Sequence, residues 1–212
     1  YWSGVPATAA DFARLPGWLR HRAGRYAPVE LPAGRCRALP WAPGLRRLGD
    51  AALPRRAAQS LDFLVCRWFD LAVARRLPAL ARREPGLRGV IACEISARAT
   101  FRQARRLGLA TLLDAPSMHH AAQDRLHGFT ESRSLHRRIV AVKEAELALA
   151  DGVLTVSELA RRTYLEAGIA GARVHAVPLG ADLALFQPPA GPPAGAGATF
   201  LFPGAMIRRQ GL

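Results

Sequence analysis

A chain of 212 residues that is 50% apolar can bury a core, and its longest apolar runs stay well short of the roughly 18 residues a membrane span needs. Three widely spaced cysteines, Cys36, Cys66 and Cys93, suit neither a disulfide framework nor a C-x-x-C zinc site, which points to a reducing cytoplasm. Thirty Lys and Arg against sixteen Asp and Glu leave a net charge of +14, which admits nucleic acid, anionic membrane and phosphorylated compounds as partners.

Taken in chain order, Ala7 to about His21 reads as a helix that Pro16-Gly17 weakens, and the Pro-, Gly- and Arg-rich stretch from Ala23 to Leu53 offers only a short strand at Arg35–Pro40. Arg56 to about Arg83 is a long amphipathic helix, with Leu61, Leu64, Val65, Phe69, Leu71 and Leu77 near helical spacing and Arg pairs on the other face. Strands follow at Gly89–Cys93 and Leu109–Leu113, separated by a helix over Ala97–Leu107 that Gly108 ends. After a loop from Asp114 to about His120 come a helical region to Ala150, broken near Gly128, a strand at Gly152–Val156, a helix over Glu158–Ala167 capped by Gly168, and a strand at Arg173–Val177. Strands of four to six residues alternating with helices define an α/β class, a Rossmann-like parallel sheet with helices on both faces. The Pro/Gly/Ala run over 187–198 is a linker, so residues 1–186 form one domain and 199–212 the first strand and turn of a second. A chain that opens on Tyr1 and stops where a helix is starting is expected to be a fragment lacking its first strand.

The charge is nearly all Arg, Lys143 being the sole lysine, and it lies in scattered pairs such as Arg75-Arg76 and Arg105-Arg106. Solvated helix faces account for that pattern better than a dedicated nucleic-acid surface, so no specific nucleic-acid partner is expected. Peripheral attraction to anionic membrane is worth about 1 kcal/mol per suitably placed basic residue.

Ligands of open parallel sheets bind beyond the carboxyl ends of the strands, which directs attention to Glu94 and Ser96, to Asp114, Ser117, His119 and His120, to Ser157 and Glu158, to Gly180 and Asp182, and to Gly204. Asp114, Ser117 and His119 lie too close in one loop for a Ser-His-Asp triad, and no G-x-S-x-G elbow accompanies them. His119-His120 has no third metal ligand at useful spacing, and there is no D-x-D motif, so no metal is expected. Ser157 followed by Glu158 reads as a helix N-cap with a first-turn carboxylate.

Ser117-Met-His119 with Gln123 and Leu126, Lys143-Glu-Ala-Glu146 ahead of Ala150-Asp151, Leu154–Glu158, Glu166-Ala-Gly168, Val177-Pro178-Leu-Gly180-Ala-Asp182 and Phe186-Gln-Pro188 follow in order a pattern that resembles family 4 retaining glycosyltransferases. Phe202-Pro-Gly204 and Arg208-Arg209-Gln-Gly211 extend it, so the resemblance spans about Glu94 to Leu212. It implies the acceptor-side half of a GT-B enzyme that moves a sugar from a nucleotide-sugar donor to a glycan, lipid-linked or small-molecule acceptor, with no cofactor and no metal; the expected place is the cytoplasm, the inner face of the cell membrane included. It implies His119 as the catalytic histidine, Glu94, Ser96, Asp114 and Ser117 lining the acceptor side, and Ser157, Gly180, Asp182, Gly204, Arg208 and Arg209 on the donor diphosphate side. The sequence departs from the pattern at Ala205 and Gln210, where basic residues are usual, which makes a non-catalytic binding module of the same fold the alternative, and the fragment alone is expected not to turn over.

Overall fold

Four strands, β3 (Gly89–Cys93), β4 (Ala110–Ala115), β5 (Gly152–Thr155) and β6 (Val174–Ala176), stand side by side in chain order, every pair parallel, in the computed structural model. The structure describes residues 2–3, 37–38 and 41–180. Two-residue strands β1 (Trp2–Ser3) and β2 (Arg37–Ala38) pair separately, also in parallel. The helices are α1 (Trp41–Ala52), α2 (Arg55–Arg83), α3 (Arg98–Arg106), α4 (His120–His127), α5 (Arg133–Leu149) and α6 (Glu158–Glu166). The protein is therefore α/β, a parallel sheet flanked by helices and Rossmann-like, as its strand–helix alternation implies.

Register decides which side chains share a face. Leu113 pairs with Val153 and Val153 with Val174, and these residues join Phe101 of α3, Leu147 of α5 and Tyr164 of α6 in the main core. Consecutive parallel strands joined by right-handed crossovers in one direction set their helices on one face, and here the helical cover among the described residues lies on the Leu113 side, not on both faces as the alternation led one to expect. On the other side Ile91 is 63% exposed, Cys93 and His175 are exposed, and Leu112, Asp114 and Leu154 are half-buried.

Helix α2 departs from the stripe read in the sequence. Its buried residues are Ala58, Phe63, Val65, Asp70, Val73 and Leu77, whereas Leu71 is exposed and Trp68 beside it is nearly half exposed. The helix has three neighbours, since Asp62 pairs with Arg46 of α1, Phe63 packs on Leu135 and Val142 of α5 and Leu77 packs on Ala104 of α3, so its contact face follows neither an ideal apolar stripe nor side-chain polarity alone. Helix α1 falls inside the Pro-, Gly- and Arg-rich stretch of residues 23–53. Pro43 and Gly44 mask it in the sequence, yet a proline in the first turn removes only a backbone donor that has no partner inside the helix. The helix expected over 7–21, the linker at 187–198 and the strand after it lie outside the described residues.

The helix stops behave as their chemistry requires. Gly108 (φ +70°) and Gly168 (φ +88°) sit in the left-handed region, with Leu109 donating back to the Ala104 carbonyl and Ile169 to that of Tyr164. A β-carbon at Gly108 meets nothing within 4 Å, so the cost of adding one there is conformational. Gly108→Ala should lower stability by about 1 kcal/mol, while Gly86→Ala, in equally open space without a positive φ, should leave it unchanged or slightly raised. Urea midpoints at constant slope measure both.

Candidate functional site

Helix α3 starts at Ala97, a residue with no side chain to cap it. Two carboxylates from other helices supply the acceptors. Glu146 of α5 accepts from the N–H groups of Ile95 (2.7 Å), Ala97 (2.9 Å) and Arg98 (3.1 Å), and Asp70 of α2 accepts from Ala99 and Thr100, both at 2.8 Å. Arg67 lies between them, 2.8 Å from Asp70 and 3.8 Å from Glu146. Both carboxylates are fully buried, where the positive end of the helix and the guanidinium compensate their charge. Burial still pushes the Glu146 carboxyl up to about 7, against the pull of its three amides.

The same grip fixes the turn after β3. Ile95 has φ +71°, a conformation costly for a β-branched residue, and its N–H is the one closest to Glu146. Beside it, Glu94 points to the carboxyl end of β4, accepting from the Ser117 hydroxyl at 2.8 Å and pairing with Lys143 of α5 at 3.0 Å. Lys143 and Glu146, three positions apart, thus leave one face of α5 for neighbouring positions on one turn. The Ser96 N–H closes the turn onto the Cys93 carbonyl.

His119 and His120 open α4. His119 is the N-cap residue: its Nδ1 accepts from the Ala121 N–H at 3.3 Å, its own N–H donates to Thr163, and its ring meets Tyr164 edge-on at 5.2 Å. His120 stacks obliquely on it at 4.1 Å and sets Nε2 3.0 Å from Glu144. Burial first, and then the neighbouring His120, hold the His119 ring below the usual histidine value, and burial holds His120 below it against the pull of Glu144. Both rings are thus biased toward the neutral form, in which His120 beside its carboxylate can accept a proton from a hydroxyl.

A cleft of about 940 Å³ opens here, lined by Ile95, His120, Gln123, Asp124, Phe129 and Lys143 among others. Its outer wall is held by His136, which faces Glu131 at 2.8 Å through Nδ1 and Asp124 at 2.9 Å through Nε2 while stacking on Phe129 at 4.1 Å.

The expected site residues divide accordingly. Glu94 and Ser117 bond to each other beside the cleft. His119 is 5% exposed and its ring serves the helix, while His120, given no role in the sequence reading beyond a discarded metal pair, lines the cavity. Asp114 lies away from Ser117, its side chain accepting from the Cys93 thiol at 3.3 Å on the less covered face of the sheet. Ser157 caps α6 by accepting from the Ala160 N–H, and Glu158 pairs with Arg161. Gly180 is exposed, and Asp182, Gly204, Arg208 and Arg209 lie outside the described residues. Asp70, Arg67, Glu144 and His136 went unnoticed in the sequence; the available signal was the pair of ionisable residues at Lys143 and Glu146 on an otherwise apolar helix face. The third ligand that His119-His120 seemed to lack is present in space, because Glu144 lies with both rings in a group whose ligand atoms are all within 4.8 Å of one another. Compared with protein-family models, with curated proteins and with solved structures, the chain shows no significant match.

Replacing Glu146 tests the shared cap. Glu146→Leu strands three buried N–H groups at about 1–3 kcal/mol each and should abolish cooperative folding, whereas Glu146→Gln keeps one acceptor oxygen and should cost about 2 kcal/mol. A carboxyl raised from 4.5 to about 7 in the folded state stabilises fully below pH 4.5 and loses that contribution as pH rises to about 7. The gap between wild type and Glu146→Gln in urea denaturation should therefore narrow across that window.

Proposed function

We propose that this chain is the acceptor-side half of a retaining glycosyltransferase of the family 4 type, which transfers a sugar from a nucleotide-sugar donor to a glycan, lipid-linked or small-molecule acceptor. The observation that carries the proposal is convergence: Ser117, His119, Lys143 and Glu146, read as parts of one ordered motif set, meet around the carboxyl ends of β3 and β4 beside the cleft. That is where open parallel sheets bind ligands. The lining supports the same reading. Leu126, Phe129, Ile139 and Val140 offer an apolar wall to the carbon face of a sugar ring, and His120, Gln123, Asp124 and Lys143 offer partners to its hydroxyls.

In this reading His120, neutral and oriented by Glu144, is the group on the described side best placed to accept a proton from an acceptor hydroxyl. His119 acts by holding the first turn of α4. Transfer needs no metal, because helix amides and basic side chains stabilise a leaving diphosphate. Gly180, Asp182, Gly204, Arg208 and Arg209 belong to the donor side of the proposal. No helix among the described residues is long and apolar enough to cross a membrane, so contact with a lipid-linked acceptor would be peripheral, through the arginine-rich faces.

The test is transfer by the protein that carries this sequence, supplied with a panel of nucleotide sugars and glycoside or lipid-linked acceptors, followed as released nucleoside diphosphate. His120→Ala should lower turnover by roughly a hundredfold with little change in melting temperature. His119→Ser, which retains an oxygen for the Ala121 N–H, should preserve most of it. Saturation-transfer NMR that detects sugar on the cleft without any turnover in the panel would favour a non-catalytic binding module, while tight oligonucleotide binding that survives physiological salt would overturn the reading in favour of a nucleic-acid partner.

A further inference from the structure

We propose that His119, His120 and Glu144 form a binding site for a zinc-class divalent ion on the wall of the cleft. The three residues come from two elements, the start of α4 and the middle of α5, and their ligand atoms all lie within 4.8 Å of one another. His120 Nε2 and Glu144 Oε1 are already 3.0 Å apart. An ion with bonds of about 2.0–2.1 Å holds tetrahedral ligand atoms roughly 3.3 Å apart, so small side-chain rotations close the set. Glu144, more than half exposed, has room to make them.

The donor chemistry selects the ion. Two imidazoles and one carboxylate match zinc, cobalt, nickel or copper and not magnesium or calcium, which prefer all-oxygen shells. Three protein ligands leave a fourth position for water or for an oxygen of whatever occupies the cleft, which His120 lines. The neighbouring ammonium of Lys143 is paired with Glu94 at 3.0 Å, so Glu144 remains the carboxylate facing the rings.

Two hydrogen bonds oppose binding, and in the first a neutral His120 meets the Glu144 carboxylate by donating its Nε2 proton, which a metal at that nitrogen must displace. In the second, His119 Nδ1 accepts from the Ala121 N–H, which leaves the ring proton on Nε2. Coordination through Nδ1 takes the lone pair that the Ala121 N–H uses, and coordination through Nε2 requires the proton to move to Nδ1. Either route releases Ala121, so metal binding carries a signature at a backbone amide outside the coordination shell.

The site shares His120 and Glu144 with the transferase reading, but its test reads metal binding alone. The 212-residue chain is titrated with cobalt(II) and followed by visible absorption, then by amide exchange. One equivalent should bind with the intense bands of four- or five-coordination and be displaced by zinc. Glu144→Gln and His120→Ala should each weaken binding at least tenfold, whereas His175→Ala, at an exposed position on the far side of the sheet, should not. Exchange at the Ala121 amide should speed up on metal addition in the wild type and stay unchanged in Glu144→Gln, an exposed substitution that leaves folding intact. A weak six-coordinate spectrum, equal affinity in wild type and Glu144→Gln, or an Ala121 amide indifferent to metal would each overturn the proposal.

Discussion

The amino end of α3 is held by two buried carboxylates that belong to other helices, and the arrangement of the molecule follows from that grip. A helix start carries N–H groups with no partner inside the helix, and α3 has no capping side chain of its own. Asp70 and Glu146 take five amides from residues 95 to 100, with Arg67 between them. Because one carboxylate rides on α2 and the other on α5, three helices are fixed in relative position by hydrogen bonds that only one geometry satisfies. Buried charges of this kind add specificity of arrangement more surely than net stability, since desolvation offsets much of their attraction.

The cleft inherits its shape from that geometry. Glu146 keeps Ile95 in a left-handed conformation, and the turn so formed presents Glu94 to Ser117 and Lys143. Lys143 and Glu146 lie on one face of α5, while Glu144 lies to its side, toward His120. A single helix thus distributes an ammonium, a half-exposed carboxylate and a buried carboxylate among three neighbours. The result is a wall in which the His120 imidazole, held beside the Glu144 carboxylate, lines the cleft.

The legible part of the fold was the part governed by neighbours in sequence. Gly89–Cys93 reads as a strand and is one, and Gly108 and Gly168 read as helix stops and adopt the left-handed conformation that requires glycine. Ser157 reads as an N-cap and accepts from the Ala160 N–H. Helix α1 was hidden by Pro43-Gly44, whose usual disruptive effect does not apply in a first turn. The α2 stripe was misjudged because one of its most buried residues is an aspartate, and hydrophobic periodicity is blind to a carboxylate whose partners are another helix's amides. Within the site, Asp114 and Ser117 are close in sequence yet are directed apart, because Asp114 takes the face of the sheet turned toward Cys93 while Ser117 lies beyond the strand's end.

The sequence by itself determined the class, the order of strands and helices from α2 to β6 and most of their ends, because caps, turns and side-chain periodicity act over a few residues and need no knowledge of the rest of the chain. Only the tertiary structure decided which residues make the site. Glu146 reaches an amide 51 positions away, Ser117 a carboxylate 23 positions away, and Asp70 a helix start 30 positions away. Those separations are set by how the helices pack on a parallel sheet, and packing also decided that His120, not the capping His119, lines the cleft beside Glu144.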